Sequence, residues 1–186
     1  MLITLGGKAG SGKSTIAKLL SSKLGYEIIS IGNMKRKLAE EMGLSIQEFS
    51  LLGDKPENQA EFDLKYEDFQ KNLKLSDKII LDSRLGFYAQ PKAFRIFLDV
   101  SDEVASQRIF GDHRTNESFE DQNQAFQEIK QRNKADQNRY LSLYNIDIWD
   151  ADNYSLVVDT SDKTPEQILE IILQYFLNNF SPDTSL

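Results

Sequence analysis

The sequence predicts an α/β fold, a parallel sheet of short strands with helices on both faces. Short β-rich runs alternate along the chain with longer stretches of helical pattern. Several of those runs are almost continuously apolar, as strands covered on both faces must be. A glycine-rich loop then joins the first run directly to the first helical pattern, which fits the same layout.

Leu2 to Leu5 reads as the first strand, and the helix after the loop carries Ile16, Ala17, Leu19 and Leu20. Tyr26 to Ile29 is the second strand. The gap that follows, about Ser30 to Asp77, holds two or three helices where one crossover would do, so it reads as an inserted lobe. Within it Ser45-Ile46-Gln47-Glu48 is a capping box, and Pro56 suits the first turn of a helix running toward Leu73. Lys78 to Leu81 and Phe94 to Leu98 are strands three and four. The second long gap, about Ser101 to Asn153, reads as crossover helices carrying a mobile flap, with Ser101 as a helix cap. One of them is a long helix from about Glu117 to Tyr144. Tyr154 to Val158 is the fifth strand, and Thr164-Pro165-Glu166-Gln167 caps the final helix with proline at its first position. Ser181 to Leu186 reads as a frayed tail.

At 186 residues the chain reads as one domain able to bury a real core. Lys and Arg number 22 against 29 Asp and Glu, a net charge of −7, so any anion site must be local; no nucleic acid polymer is expected as partner. The absence of cysteine removes disulfides, thiolate metal sites and a Cys nucleophile, and a single histidine, His113, removes multi-His zinc sites. His113 itself reads as a solvated flap residue. No apolar run approaches the ~20 residues of a membrane span, and Met1 to Leu5 lacks a basic leader region. A soluble, cytoplasmic monomer without membrane partners is the expectation. Trp149, Tyr140, Tyr144 and Tyr154 are expected to pack the late helix against the sheet.

Gly7-Lys8-Ala9-Gly10-Ser11-Gly12-Lys13-Ser14 fits G-x-x-x-x-G-K-[ST] at every fixed position, with a strand before it and a helix after it. Glycines let the backbone curl so that N–H groups form an anion nest at a helix N-terminus. Gly7 through Ser14, with Thr15, are therefore expected to bind a nucleoside triphosphate. Lys13 supplies a charge for the β- and γ-phosphates and Ser14 a hydroxyl ligand for Mg²⁺.

Cations elsewhere ask for an anion. Lys35-Arg36-Lys37 is expected in the first turn of the helix after strand two, where cations oppose the helix dipole and a phosphate at Arg36 would remove the conflict. The third strand ends in Asp82, followed by Ser83-Arg84; strand C-termini line the ligand crevice of open α/β sheets. Asp82 there can hold Mg²⁺ through water or accept from substrate, and Arg84 can grip a phosphate in bidentate fashion. Asp99 ends strand four similarly but has no nearby Arg in sequence. On the long helix, Ala125, Ile129 and Leu143 share a face with Arg132, Asp136 and Arg139. Charges interrupting an apolar face must be paired, desolvated or turned to a ligand, and one Asp does not neutralise two Arg.

These residues resemble the nucleoside monophosphate kinases, and specifically the cytidylate kinases of compact archaeal type. The resemblance runs from the phosphate loop through Arg36, Asp82-Ser83-Arg84, Arg132-x-x-x-Asp136-x-x-Arg139-Tyr140 and Tyr144-Asn145-Ile146-Asp147-Ile148 to Leu156-Val157-Val158-Asp159-Thr160-Ser161. It implies a three-layer P-loop kinase fold with a five-stranded parallel sheet in order 2-3-1-4-5. A monophosphate-binding insertion would span about 31–76 and a lid about 108–120. It implies transfer of the γ-phosphoryl of ATP to CMP or dCMP, with Mg²⁺ as cofactor. Lys13, Arg84, Arg132 and Arg139 would then be catalytic. Arg36, Asp63, Asp82, Arg84, Arg132, Asp136 and Arg139 would bind the acceptor, Asp63 helping to read the base. Arg108 and Arg114 would belong to the lid, with Arg108 on the ATP side. The chain departs from the family pattern at Ile31, Gln59, Leu64 and Lys65. Two other readings stay open on the residues alone. One is a phosphotransferase of this fold with a different nucleotide or a hydroxyl acceptor such as shikimate or gluconate. The other is an ATP-dependent assembly factor whose hydrolysis gates a partner.

Overall fold

A computed structural model describes residues 1–53, 58, 64–111, 119 and 121–180. Strand β1 (Ile3–Gly7) leads through the glycine loop into α1 (Lys13–Leu24), then β2 (Glu27–Ser30). Helices α2 (Ile31–Glu41), α3 (Ile46–Gly53) and α4 (Lys65–Lys71) precede β3 (Ile79–Asp82). The short α5 (Gly86–Ala89) leads to β4 (Phe94–Asp99), and α6 (Asp102–Gly111) and α7 (Gln122–Tyr144) lead to β5 (Leu156–Asp159) and α8 (Pro165–Phe180).

The five strands are all parallel, in the order β2-β3-β1-β4-β5 expected from the resemblance. Strand β1 is central and buried throughout, which explains its lack of polar alternation. Its side chains still divide by pleat. Ile3 and Leu5 join Ile16, Leu20, Ile96 and Ile172 beneath α1 and α8, whereas Leu2, just before the strand, packs with Ile31, Tyr66 and Leu81 beneath the inserted helices. Phe94 stacks on Tyr175 of α8 with ring centroids 5.5 Å apart and holds that helix down.

Each expected strand is present, displaced by a residue or two where polar ends join the ladder. Both capping boxes form: Glu48 accepts from the Ser45 N–H at 2.8 Å, and Gln167 accepts from the Thr164 N–H at 2.9 Å. Ser101 caps α6 by accepting from the Val104 N–H. Tyr140, Tyr144 and Trp149 pack on a buried cluster of Leu85, Phe87, Phe97, Ile148 and Tyr154, as expected.

Three expectations need correction. Helix α2 starts at Ile31 directly after β2, because the Ser30 hydroxyl accepts the Asn33 N–H and ends the strand with a cap. Lys35, Arg36 and Lys37 therefore lie in the second turn, and the dipole conflict argued for them largely disappears. Helix α7 begins at Gln122, capped by Asp121, rather than near Glu117. Finally, Leu143 is 37% exposed. The buried row on α7 is Ala125, Ile129 and Asn133; farther on, the helix is held by its tyrosines instead. The helix proposed from Pro56 to Leu73 is seen as α4, Lys65–Lys71; Pro56 lies outside the described residues.

One anchor of the inserted lobe was not anticipated. Gln90, just after α5, donates through Nε2 to the carbonyls of Gln70, Lys71 and Leu73 at 2.7, 3.3 and 2.9 Å. It satisfies the C-terminal carbonyls of α4 and ties the lobe to the turn that carries Arg84.

Candidate active site

The phosphate loop owes its path to glycines where no side chain fits. Gly7 has φ +150° and a Cβ there would lie 2.4 Å from the Leu98 carbonyl oxygen. Gly10 has φ +75° and a Cβ there would lie 2.7 Å from that of Ala105 on α6. Gly12, also left-handed, opens α1, which leaves the first N–H groups of the helix without a capping side chain.

Not every residue of the loop serves the nest. The Lys8 N–H donates to the Leu98 carbonyl at 3.3 Å, and the Ala9 N–H donates to Asn133 Oδ1 at 3.2 Å. The Lys8 ammonium pairs with Asp99 at 2.8 Å and lies 5.2 Å from the Trp149 ring centroid. Lys8 and Ala9 thus hold the loop on β4 and α7. Asp99, which has no Arg near it in sequence, has this lysine in space.

Lys13 is folded back over the loop and donates to the carbonyls of Gly7 at 2.9 Å and Lys8 at 3.3 Å. Its ammonium is depressed from the usual lysine range to about 8. Burial is the main cause, followed by Arg84; Asp82 opposes, Arg132 lowers it further and Asp136 opposes again. Four ionised side chains from β3, the following turn and α7 therefore bear on one ammonium. The balance is an excess of positive charge in a desolvated place, as an anion site requires.

The turn after β3 is built tightly. The Ser83 hydroxyl accepts the Leu85 N–H, the Ser83 N–H donates to Leu5, and a Cβ on Gly86 would lie 3.1 Å from Thr4 Cβ. This fixes Arg84, whose Nη2 lies 2.7 Å from Asp136 Oδ2 across the crevice on α7. Asp82 accepts from the Ser30 hydroxyl at 3.0 Å. Ser14, Ser30, Asn33, Met34, Phe69 and Asp82 line one cavity of about 510 Å³. Arg36 is exposed and hydrogen-bonded to Asn33, so it stands at the rim of that cavity. Arg139 is half-buried on α7, three residues beyond Asp136.

Arg108 belongs to α6 rather than to a loop. Its guanidinium donates to the Gly10 carbonyl at 3.4 Å and to Thr160 Oγ1 at 3.1 Å. It sits beside the phosphate loop as a clasp between α6, the loop and the end of β5. Asp63, Gln59, His113 and Arg114 lie outside the described residues. Of the departures from the family pattern, Ile31 is buried in the core beside Leu2 and Leu81, whereas Leu64 and Lys65 are exposed. Asn133, which sequence reasoning missed, is buried and holds Ala9; a polar residue following the apolar positions Ala125 and Ile129 at helical spacing was the available signal.

The donor set suits Mg²⁺ carried with phosphate. Among the described residues no group of three or more His, Cys, Asp or Glu side chains could cage a metal. Ser14 and Asp82 share the cavity instead, and Mg²⁺ is ordinarily held by one or two protein oxygens, substrate phosphates and water. No helix among the described residues is long and apolar enough to cross a membrane.

Comparison with known proteins places this geometry. The sequence pattern of the cytidylate kinase-like family matches residues 2–162. A cytidylate kinase of Methanobrevibacter smithii is 38% identical over 174 residues, covering 93% of this chain and 96% of that one. An S-adenosylmethionine-dependent nucleotide dehydratase of Lacinutrix mariniflava is 36% identical over 176 residues, covering 94% of this chain; the chain spans 35% of that relative. Among solved structures, shikimate kinase from Acinetobacter baumannii superposes with a TM-score of 0.57 at 16% identity, covering 97% of this chain and 95% of that one, a likeness of fold alone.

Proposed function

Because the chain belongs to the cytidylate kinase-like family, we propose that this ATP-dependent phosphotransferase, a nucleoside monophosphate kinase, passes the γ-phosphoryl of ATP to CMP or dCMP. The products are ADP and CDP or dCDP. The observation that carries the reading is the convergence of Asp82, Arg84, Arg132 and Asp136 on Lys13, beyond what binding one nucleotide in the phosphate loop requires.

In this reading ATP lies with its phosphates over the amides of Gly12, Lys13 and Ser14, and Arg108 closes the far side of the loop. The acceptor phosphate takes Arg84, with Arg36 moving in from the rim, while Met34 and Phe69 offer an apolar wall to the nucleoside. An acceptor phosphate oxygen, already anionic, forms a bond to the γ-phosphorus as the bond to the β–γ bridging oxygen breaks. ADP leaves with that electron pair, so no general base is needed. Ser14 and Asp82 would hold Mg²⁺, which would supply further charge screening. The protein's part is alignment and charge: Lys13 follows the β- and γ-phosphates, and Arg84, Arg132 and Arg139 offset the repulsion between two anions. Asp136 holds Arg84 in place until the acceptor arrives.

The reading is tested by ADP release from MgATP against all common ribo- and deoxyribonucleoside monophosphates, shikimate, gluconate and water alone. ADP release that requires CMP or dCMP is the expected result. Equal release with water alone contradicts transfer, and a preference for another acceptor overturns the assignment of cytosine.

A further inference from the structure

The buried Asn133 has no part in the chemistry described above, yet it joins three segments that must keep register. It is 4% exposed, on α7 between Arg132 and Asp136. Its Oδ1 accepts the Ala9 N–H of the phosphate loop at 3.2 Å, and its Nδ2 donates to Asp102 Oδ1, in the first turn of α6, at 3.2 Å. One carboxamide thereby satisfies a loop amide and a helix-end carboxylate at once, which neither a carboxylate nor an apolar side chain at this position can do. The loop is tied to β4 by the Lys8 N–H on the Leu98 carbonyl and to α6 by Arg108 on the Gly10 carbonyl. Beside Asn133, Ala9 packs with Val100, Ala105 and Ile129, and a Cβ on Gly10 would lie 2.7 Å from that of Ala105. The packing of Ala9 on Ile129 of α7 is apolar and non-directional; the hydrogen bond from the Ala9 N–H to Asn133 gives the loop a directional tie to α7.

We propose that Asn133 is a positioning residue that sets the register between the phosphate loop and the Arg132–Asp136 face of α7. The inference rests on the transfer reading above, because it gives that register a purpose. Donor phosphates are located by the loop, and the acceptor side by Arg84 through Asp136 and by Arg132. A displacement of about 1 Å between the two costs about 100-fold in transfer while leaving each ligand its own contacts. Asn133 therefore acts on kcat and little on either KM.

The test exploits the polarity of the pair. Asn133→Asp sets two carboxylates against each other, and adding Asp102→Asn restores one amide donor and one carboxylate with their places exchanged. Kinetics are normalised to the folded fraction, read by thermal unfolding. Asn133→Asp is expected to lose about 100-fold in kcat with both KM values within about threefold of the parent. The double variant is expected to recover to within about threefold of the parent kcat. A single variant with parental kcat per folded molecule, or a double variant no better than the single, overturns the proposal. Amide exchange at Ala9 gives a readout that needs no turnover. In Asn133→Ala it is expected to quicken by about tenfold or more, and unchanged protection overturns the proposal. If Ala9 responds but the parent phosphorylates no monophosphate, the transfer reading fails while the tie between loop and helix stands.

Discussion

Replacing Lys13 with methionine, which keeps the length of the side chain and removes its charge, is expected to lower kcat by about 1,000-fold or more. In the transfer reading the ammonium lies where charge moves, and in the free protein it donates to the Gly7 and Lys8 carbonyls. Its depression to about 8 supplies a second, independent signature. A polyphosphate favours the charged form and returns the group toward its ordinary value of 10.5. Nucleotide binding above about pH 8 therefore takes up a proton, and below that pH the ammonium is already charged and uptake fades. The same sign applies to folding: the ligand-free fold disfavours the charged lysine, so this group's penalty is present at low pH and is relieved as pH rises from about 8 toward 10.5. Calorimetry of MgADP binding at pH 9 in buffers of different ionisation enthalpy measures the uptake. It is expected in the parent and lost in Lys13→Met; uptake of equal size in both would remove Lys13 as its source.

Arg84→Ala is the second large effect, with about 100- to 1,000-fold lost in kcat. Two consequences combine. In the transfer reading the acceptor loses a bidentate partner, and Asp136, whose side chain is 20% exposed, loses the guanidinium 2.7 Å from it. Because both partners keep some solvent, the stability loss is about 1–2 kcal/mol rather than that of a fully buried pair. Arg84→Lys separates the two, restoring charge opposite Asp136 but not the fork. It is expected to recover stability and only part of kcat. Full recovery of kcat by lysine would show that the geometry of the fork is immaterial.

Much of this site was legible in the sequence because its signals are local. The phosphate loop is a contiguous motif, and Asp82-Ser83-Arg84 follows an apolar strand whose end must reach the crevice. Arg132 and Asp136 lie one helical turn apart, so both bear on Lys13 once α7 lies across the crevice. The sheet order came from the resemblance, since a spacing of elements does not by itself say which strands are neighbours. What escaped reading was decided by partners distant in sequence. Lys8 and Asp99 are 91 positions apart, and Ala9 and Asn133 are 124 apart. Nothing near Lys8 announces that its ammonium turns to β4. The start of α2 was missed because Ile31-Gly32 looks like a loop, whereas the Ser30 side chain caps the helix as soon as the strand ends. Leu143 was misplaced for another reason: periodicity fixes the face of a helix but not how far the core extends beneath it.

Two phosphorylated ligands are expected to occupy one crevice at the same time. Inhibition by a single compound in which adenosine and cytidine are joined through five phosphates addresses this directly. The compound is expected to compete with ATP and with CMP alike, at one molecule per chain, and to lose affinity in both Lys13→Met and Arg84→Ala. Competition with ATP alone, with affinity unchanged in Arg84→Ala, would mean that the crevice holds a single nucleotide.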